Sequence, residues 1–69
     1  MFAREKLKKY MKENGITNVA MAQKLGVSEG AVRHILVGVK QPSLAMTVEL
    51  AQIMGCTVND LVVSQEINT

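Results

Sequence analysis

Glycines at positions 15, 26, 38 and 55 cut this 69-residue chain into runs long enough only for short helices. Each run between them has helical periodicity, and most open on a capping residue. Residues 3–13, AREKLKKYMKE, are strong helix formers, with Leu7, Tyr10 and Met11 on one stripe. Thr17 is placed to cap a second helix over 18–25, with Val19, Ala22 and Leu25 as packing positions. Ser28 is placed to cap a third over 29–36. Pro42-Ser43 opens a fourth over 44–54, with Leu44, Val48, Ala51 and Met54 as its apolar stripe. Thr57 is placed to cap a short fifth over 58–63, carrying Val58, Leu61 and Val62, and residues 64–69 are expected to fray. No stretch alternates as a strand should. The expectation is one compact all-α domain of five helices spanning residues 1–69.

The turn between the second and third runs is the tightest, only Gly26-Val27-Ser28. A link that short forces two helices to cross steeply and leaves the second standing proud. Small residues are needed at the crossing, and Ala22 and Gly26 supply them. Val27, Val32 and Ile35 can fill the wedge beneath. The opposite side of the third run then carries Ser28, Glu29, Gly30, Arg33 and His34, an exposed face with an acid, a base, a titratable ring and a missing side chain.

The remaining composition narrows the function classes. Aromatic residues are only Phe2 and Tyr10, so the core is aliphatic, with the five methionines as filling. Cys56 is the only cysteine, which rules out a disulfide scaffold and suits a reducing, cytoplasmic location. No apolar run approaches the roughly 20 residues needed to cross a bilayer. An enzyme is not expected: His34 and Cys56 are solitary, so neither a catalytic dyad nor a metal-ligand set can be assembled. No glycine-rich phosphate loop occurs. No metal, cofactor or small-molecule ligand is expected. All eight basic residues lie in the first 40 positions against three acids, whereas residues 41–69 hold three acids and no base. Such a charge split can present one positive side to a polyanion.

From Ile16 to Leu44 the sequence resembles the helix-turn-helix of the lambdoid phage repressor and Cro family, the XRE-type regulators. The residues that carry the likeness are Ile16-Thr17, Ala22, Leu25-Gly26-Val27-Ser28, Val32, Ile35, Gly38 and Pro42-Ser43-Leu44, and LAQIMGCTVNDL extends it through the family's last two helices. The resemblance implies a helix-turn-helix over about 18–37 whose third helix enters the major groove of double-stranded DNA. By position, Ser28, Glu29, Gly30, Arg33 and His34 would face base edges. Arg33 can grip guanine O6 and N7 with two parallel bonds, worth about 1–3 kcal/mol of discrimination. Glu29 can read cytosine N4, favour the helix dipole, or pair with Arg33 one turn on. His34 is as well placed for solvent as for a contact, and Gly30 either admits a close approach or is simply tolerated. Phosphate contacts are expected from Thr17, Asn18, Gln23, Lys40, Gln41 and Ser43, with Lys40 foremost. The lysines of the first helix add long-range attraction or form an ordinary solvated face.

The chain departs from the family at two positions. Relatives commonly have glutamine where Asn18 stands, and Asn18 reaches less far. They commonly have glutamate where Leu36 stands. Leu36 cannot form an ion pair, so the following turn is expected to be held by packing. The resemblance further implies a homodimer through the C-terminal part, with Val58, Leu61, Val62, Val63 and Ile67 as an apolar patch, although Leu61 and Val62 can equally complete the monomer core. The function implied is a repressor occupying a palindromic operator. The alternative is an antitoxin-type or other interaction module that holds a partner protein as well as DNA.

Overall fold

The computed structural model describes residues 1–63. Four α-helices follow one another: α1 Arg4–Glu13, α2 Asn18–Leu25, α3 Glu29–Val37 and α4 Leu44–Met54. Hydroxyls start three of them. Thr17 Oγ1 accepts the Ala20 N–H at 3.1 Å, Ser28 Oγ accepts that of Ala31 at 3.2 Å, and Ser43 Oγ accepts that of Met46 at 3.1 Å. Each bond satisfies one of the donors that a helix start leaves without a partner.

All four helices end in the same way. The N–H of the glycine bonds back three residues and the next N–H bonds back five, as in Gly26 to Gln23 and Val27 to Ala22. At Gly26 this needs φ of +71°, which a residue bearing a Cβ adopts only at a cost. Ile16, Val27 and Cys56, which follow three of these glycines, tuck back against the core. Val39, which follows Gly38, is exposed instead.

The fifth expected helix is shorter than the sequence suggests. Val58–Leu61 forms one 3₁₀ turn, capped reciprocally by Thr57 and Asp60. The chain then extends at Val62, whose β-branched side chain favours that conformation, and pairs antiparallel with Phe2. The Ala3 N–H bonds the Leu61 carbonyl at 2.7 Å, and the Val63 N–H bonds the Met1 carbonyl at 2.7 Å. This pairing brings Phe2 into the core beside Leu7, Met11, Met21, Ala22, Leu25, Val32, Ile35, Leu50, Ala51 and Leu61. Residues 64–69, expected to fray, lie outside the described residues.

Two helices bury part of the stripe expected of them, with Ala22, Leu25 and Ala51 in the core and Met54 packed against it, but are turned at other positions. In α2, Met21 is fully buried and Val19 is 55% exposed. In α4 the buried set is Thr47, Leu50 and Ala51, while Leu44 is 73% exposed and Val48 is also on the surface. The reason is visible at Thr47. Its hydroxyl donates to the Ser43 carbonyl at 2.9 Å, so the one polar atom it would bury is already satisfied. That lets a threonine face inward and turns Leu44 outward. Tyr10 ties α1 to α4 by donating its hydroxyl to the Ile53 carbonyl at 3.1 Å.

Candidate nucleic-acid interface

α3 packs on α1 and α2 through Val32 and Ile35 and leaves its other side free. Ser28, Arg33 and His34 are exposed there, and Glu29 and Gly30 are half-exposed. Sequence reasoning placed these five residues on one face, and the corner brings them together. Their chemistry is not five independent contacts, however. Glu29 Oε1 lies 2.6 Å from Arg33 Nη1, with both side chains well exposed. The second carboxylate oxygen of Glu29 faces Asn18 Nδ2, on the neighbouring helix, at 3.5 Å. A Cβ on Gly30 would stand 3.7 Å from Arg33 Nη2, so the guanidinium lies alongside the glycine.

The flanking residues frame this face. Asn18 is the first residue of α2, with Thr17 as its cap. The Thr17, Ser28 and Ser43 oxygens each accept a backbone N–H, which leaves each hydroxyl hydrogen free to donate to an anion. Gln23 and Lys40 are exposed. The Lys40 backbone is fixed by its N–H, which bonds the His34 carbonyl at 3.2 Å and anchors the loop to the end of α3. Gln41 has a structural role that the sequence did not suggest. Its Oε1 accepts the Phe2 N–H at 2.8 Å, which ties the side chain to the N-terminal segment and leaves the amide NH2 as its donor end.

One important residue was missed by sequence reasoning. Arg4, on α1, donates from Nη1 to the Leu36 carbonyl at 3.4 Å and lies against Gly38. The turn after α3 is therefore held by a cation on the helix C-terminus as well as by packing, where Leu36 offers no carboxylate. The only sequence signal was a base at the start of α1, indistinguishable there from the lysines around it.

The C-terminal patch is smaller than expected. Leu61 is fully buried and belongs to the monomer core. Val58 is half-buried, Val62 and Val63 are 48% and 44% exposed, and Ile67 lies outside the described residues. Val58 and Val62 line an open apolar groove of about 580 Å³ with Met1, Pro42 and Leu44.

Among the described residues no three His, Cys, Asp or Glu side chains are grouped as metal ligands, and no helix is long and apolar enough to cross a membrane. No curated protein and no solved structure matches the chain. The helix-turn-helix family model does match, over residues 7–61, from the buried stripe of α1 through α2, α3 and α4 to the 3₁₀ turn. With that span covering most of the sequence, the chain belongs to the helix-turn-helix family of DNA-binding regulators, of the XRE type.

Proposed function

We propose that this protein is a sequence-specific transcriptional repressor that binds a palindromic operator as a homodimer. The observation that carries the reading is the polar face of α3, propped outward and framed by Asn18 on one side and the Lys40–Ser43 loop on the other. Arg33 reads a guanine, with Ser28, Gly30 and His34 at neighbouring base edges. Lys40, Thr17, Asn18, Gln23, Gln41 and Ser43 hold phosphates and set the register. One copy covers too little groove for tight, selective binding. Two copies separated by one helical repeat, about 34 Å, read two half-sites. Val62 and Val63, beside the groove of Met1, Pro42, Leu44 and Val58, supply the surface on which the copies meet.

Selection from random duplexes tests the reading directly. An inverted repeat with half-site centres one helical turn apart is the expected product. A single unrepeated site would rule out the dimeric mode, and recovery of no preferred sequence would rule out base reading altogether. The same apolar groove fits a second reading, an interaction module with a different protein seated there. Stable co-purification with a second protein, and no self-association of the isolated chain, would favour it.

A further inference from the structure

We infer that Glu29 is a positioning residue: its carboxylate clamps the Arg33 guanidinium and thereby decides which base pair Arg33 reads, while Glu29 itself reads none. The inference rests on the assignment of α3 as the base-reading helix and names how its specificity is set. Both oxygens of Glu29 already face donors within the protein, Arg33 Nη1 at 2.6 Å and Asn18 Nδ2 at 3.5 Å. A carboxylate is an acceptor only, so in the major groove it could take only an amino hydrogen of cytosine N4 or adenine N6, and that hydrogen would compete with the arginine and asparagine donors Glu29 already faces.

Arg33 loses little by the clamp. Its guanidinium has five N–H donors, and the pair with Glu29 engages Nη1, leaving Nη2 and Nε. The clamp also lays the side chain along Gly30, where no Cβ intrudes. A long side chain with many rotamers is thus restrained before it meets DNA, and that restraint lowers the ordering cost of binding. A carboxylate on a face that approaches phosphates repels every duplex alike. Its removal should therefore raise affinity for any duplex while lowering selectivity in either role, and the base pair at which preference is lost separates a clamp from a reader.

The experiment is random-duplex selection and titration with the wild type, Glu29→Gln, Arg33→Ala and the double variant. Arg33→Ala identifies the base pair that Arg33 reads. Glu29→Gln is expected to weaken preference at that same pair by about 2- to 5-fold, the range of an exposed ion pair, while binding to random duplex is equal or tighter. In the Arg33→Ala background Glu29→Gln should change no preference. Loss of preference at a different base pair would show that Glu29 reads a base and would overturn the inference, as would unchanged selectivity. Nitrogen-15 relaxation of the Arg33 Nε–H in the free protein gives a readout independent of DNA. Its order parameter should fall in Glu29→Gln, and equal mobility in the two proteins would refute the clamp. If the wild type selected no sequence, the base-reading assignment would fail while this measurement still decided whether the clamp exists.

Discussion

Single residues divide into those on the face proposed to meet DNA and those that shape the backbone beneath it, and the two glycines on and after α3 illustrate the difference. Gly30 has helical geometry and open space, and a methyl group added there would meet nothing nearer than 3.7 Å. Gly30→Ala should stabilise the protein by about 0.5–1 kcal/mol, because glycine in a helix forfeits that much to unfolded-chain entropy. Gly38 has φ of +86°, and a Cβ there would come within 2.8 Å of the Arg4 guanidinium. Gly38→Ala should destabilise by about 1–2 kcal/mol from the left-handed backbone alone. Thermal melts of the two variants, moving in opposite directions, check both. Among the residues proposed to face DNA, Arg33→Ala should cost about 1–3 kcal/mol at one base pair per half-site. Lys40→Ala should weaken all duplexes similarly and flatten the salt dependence by about one phosphate contact per subunit. If both variants lost affinity uniformly across sequences, Arg33 would not be the base reader.

At the scale of elements, what was legible in the sequence is what is decided locally. Thr17, Ser28, Ser43 and Thr57 announce their caps because the hydroxyl and the N–H it accepts lie three residues apart. The one-sided polarity of α3 follows in the same way from helical spacing. The facing of α2 and α4 follows only in part: Ala22, Leu25 and Ala51 turn inward as their spacing predicts, whereas Met21 over Val19 and Thr47 over Leu44 is a choice made by the neighbouring helices and by one satisfied hydroxyl. The Arg4 contact joins residues 32 apart in sequence, and no periodicity encodes it. Arg4→Ala should therefore loosen the seam between α1 and α3 by about 1 kcal/mol, the ordinary net worth of a hydrogen bond. Combined with Gly38→Ala the loss should be less than additive, since both act on one contact. The 3₁₀ turn makes a separate prediction. The backbone N–H of Thr57 bonds Asp60, the Thr57 hydroxyl adds a second bond, and Lys6 contributes a smaller attraction; together these hold the Asp60 carboxyl below its usual range. A carboxylate with a lowered folded-state pKa adds stability above its unfolded pKa and loses it as pH falls through the folded value. Wild type should exceed Asp60→Asn in denaturant resistance at neutral pH, and the gap should close in strong acid. A gap that persisted there would mean that the charge on Asp60 is not what matters.

For the whole molecule the question is how a small aliphatic core supports a protruding helix and leaves a surface for the second copy proposed above. The antiparallel pairing of Phe2 with Val62 closes the chain on itself and places Val62 with its backbone committed and its side chain half outside. That arrangement separates folding from association. A charge at Val62 meets solvent in the monomer but would be driven into apolar surface in a dimer, where an unpaired charge is strongly unfavourable. Val62→Asp should lower the melting temperature only modestly at low concentration, through the lost β-branched preference for the extended backbone, and abolish concentration-dependent self-association in sedimentation. On DNA it should retain binding to an isolated half-site, because Arg33 and Lys40 are on other elements, and lose the added affinity of the full palindrome. That added affinity comes from linking two half-site events through one protein interface, so it disappears with the interface rather than declining in proportion to contacts. A Val62→Asp protein that bound the full palindrome as tightly as wild type would move the dimer contact to another surface, while leaving the assignment of α3 untouched.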